Sequence, residues 1–126
     1  MSNSLKELLA TANGSVPAIS PQDAKALIES GKALVVDVRD GLELQSTGKV
    51  SGAKHVARGM LEFRADPDSA YYDNAFDREK TVIVYCASGG RSALAGRTLQ
   101  DMGCKDVRNL GGFKGWVESG GAVEKV

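Results

Sequence analysis

The sequence is short of the residues from which most ready-made sites are built. Its 126 residues include two cysteines, Cys86 and Cys104, one histidine, His55, and one tryptophan, Trp116. Two cysteines do not make a disulfide framework, and with a single histidine they are too few and too scattered for a structural zinc site. Reduced thiols are the expectation, and with them a cytoplasmic protein. Charge of either sign is not in excess: Lys plus Arg and Asp plus Glu both number 16, so the formal net charge is zero. Bulk electrostatics therefore make no case for nucleic acid or an anionic membrane as partner, and any anion binding has to come from local geometry. No apolar run approaches the ~20 residues of a membrane helix. The opening residues, MSNSLKELLATANGS, lack the basic-then-apolar pattern of a secretory signal. Repeats and low-complexity tracts are also missing.

What is present is an ordinary globular balance, 42% hydrophobic and 25% charged. A chain of this length buries a core without disulfides or metal. Residues 1–16 read as a lead segment or short helix, with Leu5, Leu8 and Leu9 on one face and Asn13-Gly14 as its end; residues 17–126 read as a single domain. Ser20-Pro21-Gln22-Asp23 has the chemistry of a helix start, an N-cap serine followed by proline and an acid. That helix runs through Ala24, Leu27 and Ile28 to Gly31. Two Val-rich runs, Ala33 to Val38 and Thr81 to Tyr85, do not alternate polar with apolar, which predicts strands covered on both faces. Arg91 to Met102 reads as a helix with Ala93, Leu94, Leu99 and Met102 inward. Val107 to Leu110 reads as a strand, and a last helix follows Gly111-Gly112 with Phe113, Trp116 and Val117 inside. Strands alternating with helices predict an α/β domain with a mainly parallel sheet. Residues 58–78 show no clean period and read as a long surface excursion, with one helical turn near Met60 to Phe63, placed where it could shape a substrate entrance.

The informative junction is Val84-Tyr85-Cys86-Ala87-Ser88-Gly89-Gly90-Arg91-Ser92. A buried strand ends, a small-residue loop follows, and a helix begins, which is where open α/β sheets bind ligands. Curled backbone N–H groups and a helix N-terminus stabilise anions, so a cysteine at this mouth is favoured as thiolate, its nucleophilic form. A cysteine at a strand end is equally at home as a small buried hydrophobe, and a Gly-rich turn can be plain packing. Neither phosphate-binding glycine pattern, Gly-x-x-x-x-Gly-Lys or Gly-x-Gly-x-x-Gly, occurs here.

The segment CASGGRS resembles the active-site loop of rhodaneses, Cys-x-x-Gly-x-Arg-Ser. Three further blocks resemble the same family in the same order: Asp37-Val38-Arg39-Asp40 with Glu43, Gly48-Lys49-Val50-Ser51-Gly52-Ala53, and Leu110-Gly111-Gly112-Phe113-Lys114-Gly115-Trp116. Lys49 and Ser51 stand where the family usually has His and Pro, and one residue is inserted between Glu43 and Gly48. The resemblance spans Ile19 to Trp116. It implies a rhodanese-like three-layer α/β fold with a mainly parallel sheet of about five strands and helices on both faces. It also implies a thiosulfate-type sulfurtransferase without cofactor, in which Cys86 carries sulfur as a persulfide held by the loop of Ala87, Ser88, Gly89, Gly90, Arg91 and Ser92. Six residues from Cys86 to Arg91 make the short form of this loop. The related phosphatases and arsenate reductases have one residue more, so phosphate chemistry is the weaker reading. A persulfide-delivering binding module is the other alternative. The implied partners are a small sulfur compound and a thiol-bearing protein acceptor, for a monomer or homodimer.

Arg58 and Arg64 are candidate contacts for an anionic donor, although a solvated side chain is the ordinary role of each. His55 reads as a hydrogen-bonded structural residue and Cys104 as a buried thiol. Asp37 and Arg39 are expected to pair with backbone or with each other.

Overall fold

The structure, a computed structural model, describes residues 2–126. In chain order its elements are α1 (Leu5–Ser15), α2 (Pro21–Glu29), β1 (Ala33–Asp37), α3 (Gly41–Thr47), β2 (Lys49–Val50), β3 (Lys54–His55), α4 (Leu61–Ala65), β4 (Thr81–Cys86), α5 (Gly90–Asp101), β5 (Asp106–Gly112), α6 (Phe113–Glu118) and β6 (Val123–Glu124). A 3-10 turn, Arg58–Met60, leads into α4.

The two Val-rich runs become the centre of the sheet, whose order is β3-β1-β4-β5 with every pairing parallel. Successive side chains of a strand point to opposite faces, and here both faces are buried. Val82, Val84 and Cys86 join Val36 and Val38 in one core with Val16, Leu61 and Leu99, whereas Ile83 and Tyr85 join Val35 in a second core with Ala24, Phe113 and Trp116. Helices α1, α4 and α5 thus cover one face and α2 and α6 the other, the three-layer arrangement that the family resemblance implies.

The parallel sheet has four strands rather than about five. Lys49–Val50 pairs antiparallel with Val123–Glu124 in a separate ribbon, and among the described residues the outer edge beyond β5 carries an isolated parallel bridge from Ala18 to Asn109. The lead helix begins at a capping box, in which the Ser4 hydroxyl accepts the Glu7 N–H. It runs on through Asn13-Gly14 to Ser15 because α5 supports it: Ala12 and Val16 are buried, and the Gln100 side chain donates to the Ser15 carbonyl at 2.7 Å. Helix α2 starts as expected, with the Ser20 hydroxyl accepting the Asp23 N–H at 3.1 Å.

The excursion over residues 58–78 is packed rather than loose. Leu61, Ala65 and Phe76 enter the first core, and carboxylates of Asp66, Asp73 and Asp77 accept N–H groups two residues on, forming successive local turns. In α5 the expected inner face holds for Ala93 and Leu99, while Leu94 and Met102 are only half-buried. In α6 Phe113 and Trp116 are buried, but Val117, expected inside, is 46% exposed. A helix of six residues buries one edge, and that edge is taken by the aromatic pair three residues apart.

Candidate active site

Cys86 is the last residue of β4 and is 1% exposed. Gly89 follows three residues later with φ of 102°, a left-handed conformation that glycine adopts without strain, and it caps α5. This turn aims the Gly89 N–H at the Cys86 Sγ, 3.0 Å away. The Ser92 hydroxyl, in the first turn of α5, lies 3.4 Å from the same sulfur. Burial opposes the thiolate, but the Ser92 hydroxyl and the N–H groups of Ser92, Gly89 and Ser88 outweigh it and hold the thiol below its ordinary pKa. Cys104 has no such donors, and burial pushes its pKa up.

The loop is braced from two sides. Toward β5, Asn109 ties three groups together. Its Oδ1 accepts from the Ser92 hydroxyl at 2.8 Å and from the Gly111 N–H at 2.9 Å, while its amide nitrogen donates to the Gly89 carbonyl at 3.2 Å. Ser92 has one hydroxyl hydrogen. Because Gly111 also serves the Asn109 oxygen, that hydrogen can turn to a thiolate without leaving the amide oxygen unpartnered. The Gly111-Gly112 pair lets the loop lie against β5: a Cβ on Gly112 would sit 2.8 Å from the Ala87 carbonyl oxygen. Toward α3, Arg91 pairs with both carboxylate oxygens of Glu43, at 2.6 and 3.0 Å. The Arg91 hydrogen bond lowers the Glu43 pKa to about 2. Arg91 therefore ties the loop to α3.

Beneath the loop, Asp37 and Arg39 form a buried fork, with Arg39 Nη2 2.7 Å from Asp37 Oδ2. The same guanidinium donates to Thr47 and to the Gly48 carbonyl, both at 2.9 Å, and lies 4.5 Å from the centre of the Phe113 ring. This fork fixes the end of α3 against α6 and so sets where Glu43 stands. His55 bonds through Nε2 to the Arg39 carbonyl oxygen at 2.6 Å.

Arg58 and Arg64 are placed differently from the loop residues. Arg58 bonds to Glu62 at 2.9 Å and to Thr98 at 3.0 Å, and Thr98 lies about 12 Å down the α5 axis from Gly90. Arg64 is an exposed side chain of α4. No residue of 58–78 lines the cavity beside the loop, so this stretch does not form its wall. That cavity, of about 610 Å³, is lined by Ala87 of the loop, by Leu42, Glu43 and Ser46 of α3, and by Phe113, Lys114 and Val117 of α6. Cys104 stands at the far end of the sheet. The register sets Thr81 beside Asp106 and Cys86 beside Gly112, which separates the two cysteines by roughly 17 Å at ~3.3 Å per residue.

Sequence reasoning missed Asn109 and the partner of Arg91. Asparagine is disfavoured inside strands, so Asn109 in a strand pattern was itself a signal. Glu43 lies 48 positions from Arg91, and nothing in the sequence links the two.

At pH 7, iodoacetamide is expected to alkylate Cys86 and spare Cys104, with peptide mapping as the readout. Because the Cys86 pKa is depressed, its thiolate is populated at lower pH than that of an ordinary thiol (~8.5). Ser92→Ala should displace the rate profile to higher pH and slow alkylation at pH 7 by about tenfold, the effect of one hydrogen bond to a charged group. An unmoved profile would contradict the role given to the hydroxyl.

Fold and site together define a doubly covered parallel α/β domain with a thiolate-stabilising loop at the C-terminal end of its sheet. The chain belongs to the rhodanese-like domain family, whose sequence pattern matches residues 20–119. It is 37% identical over 99 residues to thiosulfate sulfurtransferase GlpE of Pseudomonas fluorescens, covering 78% of this chain and 82% of that protein. A Bacillus subtilis relative, a putative sulfur carrier protein, is 31% identical over 82% of this chain, which spans only about half (52%) of that relative's length. Among solved structures, a Rhodopseudomonas palustris protein described as a possible tyrosine phosphatase superposes with a TM-score of 0.90 at 42% identity, over 98% of this chain and 96% of that one. The polysulfide-sulfur transferase homodimer of Wolinella succinogenes gives a TM-score of 0.76 at 36% identity, over 96% and 87%. No helix among the described residues is long and apolar enough to cross a membrane.

Proposed function

We propose that the protein is a sulfurtransferase that moves sulfane sulfur from a donor such as thiosulfate to a thiophilic acceptor through a persulfide on Cys86, in the cytoplasm. The observation that carries this reading is the convergence of N–H groups on the Cys86 sulfur from a loop that counts only six residues from Cys86 to Arg91 inclusive. The thiolate attacks the outer sulfur of thiosulfate, the sulfur–sulfur bond breaks, and sulfite leaves with its electron pair. The new terminal sulfur carries the negative charge and is held by the amides of Ala87 to Ser92. An acceptor, cyanide in an assay or a thiol in the cell, then takes that sulfur and regenerates the thiolate, which gives ping-pong kinetics. Arg91, neutralised by Glu43, holds the loop in place and leaves the amides as the main anion-binding groups. No metal or organic cofactor enters this scheme.

The possible-phosphatase description of the Rhodopseudomonas structure raises phosphate chemistry as a second reading. The six-residue loop argues against it here, because a tetrahedral oxyanion needs a wider ring of amides than one sulfur atom. Intact-protein mass spectrometry after thiosulfate treatment is expected to show the gain of one sulfur atom, and peptide mapping should locate it on Cys86 and not Cys104. Hydrolysis of p-nitrophenyl phosphate with no sulfur gain would reverse the assignment.

A further inference from the structure

Asn109 stands where the strand pattern turns its side chain toward the loop. Val107, two residues earlier, belongs to the core that α5 covers, and residues i and i+2 of a strand share a face. Leu110 turns to the second core. An irregularity in the pairing there, between Val84–Asn109 and Tyr85–Gly111, brings the Gly111 N–H back to the Asn109 oxygen. The main chain of Asn109 is held from the other edge, its N–H donating to Pro17 at 2.8 Å and its carbonyl accepting from Ile19 at 3.0 Å.

Three acceptors surround the one hydroxyl hydrogen of Ser92: the Cys86 sulfur at 3.4 Å, the Gly89 carbonyl at 3.2 Å and Asn109 Oδ1 at 2.8 Å. The Gly89 carbonyl already receives the Ala93 N–H at 3.0 Å and the Asn109 amide at 3.2 Å, which fills its two lone pairs. Two destinations remain, the sulfur and the Asn109 oxygen. Asn109 supplies one of them and occupies the third acceptor.

Resting on the sulfur-transfer reading of Cys86, we infer that Asn109 is a positioning residue that holds the Ser92 hydrogen while Cys86 is loaded and yields it to the sulfur when Cys86 is free. A thiolate draws the hydrogen because a bond to an ionised acceptor is about twice as strong as a neutral one. Loading moves the negative charge to the outer sulfur, among the loop amides. Sγ, now bonded to a second sulfur, is neutral and a weak acceptor. The hydrogen then swings back to Oδ1. It stays on the Ser92 oxygen throughout, so no proton is transferred and only the hydroxyl turns. The Ser92 bond thus stabilises the unloaded form alone, and its strength sets how readily the thiolate gives way to the persulfide. The charged groups around the loop are the Arg91–Glu43 pair and the Asp37–Arg39 fork beneath it. Among the described residues none of these four bonds to the side chain of Ser92 or Asn109.

The test is a double-mutant cycle of Ser92→Ala and Asn109→Asp, read first by the pH dependence of Cys86 alkylation. Asn109→Asp keeps the side-chain shape and gives Ser92 an ionised acceptor that does not release the hydrogen. In the wild-type background, Ser92→Ala should move the profile up by about one pH unit, the effect of one hydrogen bond to a charged group. In the Asn109→Asp background the same change should move it by less than about 0.3 unit, because the hydroxyl no longer serves the sulfur. Repulsion from the new carboxylate is common to both members of that pair and cancels. The second readout is the fraction of Cys86 loaded at a fixed ratio of thiosulfate to sulfite, at about pH 10, above the ordinary thiol range. Each single variant should raise the loading equilibrium constant by about tenfold, and the double variant no further. A disturbed loop would instead lose amide contacts to the outer sulfur and lower that constant. Should Asn109→Asp fail to fold, NMR of the Asn109 side-chain amide still decides. Its signals should titrate with Cys86 in the wild type, return to their thiol-form positions on loading, and titrate far less in Ser92→Ala. Additive shifts in the cycle, a loading constant that falls in both single variants, or an Asn109 titration of equal size in wild type and Ser92→Ala overturns the inference. If thiosulfate still loads wild-type Cys86 in that case, the sulfur-transfer reading stands without it; if wild-type Cys86 takes no sulfur, both fail.

Discussion

Cys86→Ser is expected to abolish sulfur loading and to lower turnover with thiosulfate on the order of 10⁴-fold or more, the scale seen when a covalent nucleophile is removed. The loop is arranged around sulfur. Gly89 donates to Sγ at 3.0 Å, and Ser92 approaches the same atom at 3.4 Å. A serine hydroxyl at this position gains the same donors, but it ionises far above neutral pH and does not hold a persulfide. The substitution removes one polarizable atom from a buried site and leaves the Arg91–Glu43 brace untouched. Circular dichroism and thermal melting should therefore match the wild type while the mass gain disappears. Cys104→Ser is the paired control and should load normally. Full turnover in the Cys86 variant would move the chemistry elsewhere in the chain.

A second large effect is expected in stability. Asp37 is 0% exposed and Arg39 is 2% exposed, so Asp37→Ala strands a guanidinium whose other partners among the described residues are Thr47, the Gly48 carbonyl and two ring faces. Breaking a buried pair from one side costs about 3–5 kcal/mol, a large share of the roughly 5–15 kcal/mol that holds a domain of this kind together. The melting temperature should fall by about 10–20 °C. Replacing both partners, Asp37→Leu with Arg39→Met, should recover much of the loss, because it is the unpaired buried charge and not the missing carboxylate that is costly. The same Asp37→Ala change should also weaken activity, since the fork fixes α3 and α3 carries the Glu43 that holds Arg91. A melting temperature within about 3 °C of the wild type would show that the fork is dispensable.

The parts of the fold that were legible in the sequence are those whose chemistry is local. The runs at Val35-Val36 and Val82-Ile83-Val84 announce strands covered on both faces, Ser20-Pro21 announces the start of α2, and the small residues after Cys86 announce a turn into a helix. Helix α3 was hidden because it is seven residues long, starts at Gly41 and buries only Leu44. Strands of two residues, such as Lys49–Val50 and Val123–Glu124, are too short to carry a period, so their pairing is a product of tertiary structure. The same holds within the site. Cys86 and its loop can be read along the chain, whereas the Asn109 tether and the Glu43 brace exist only after β5 and α3 have been packed against the loop. Val117 looks like a core residue by its chemistry, and only the shortness of α6 turns it outward.

The placement of the two cysteines at opposite ends of the sheet bears on how long a loaded site lasts. A disulfide requires Cα atoms within about 7 Å, and the register keeps Cys86 and Cys104 more than twice that far apart. On the proposed reading, sulfur loaded on Cys86 would lie out of reach of Cys104, so its release would await an acceptor from outside the domain. The lifetime of the loaded form would then be set by acceptor concentration and access, and the domain would act as a reservoir whose outflow depends on what arrives to collect.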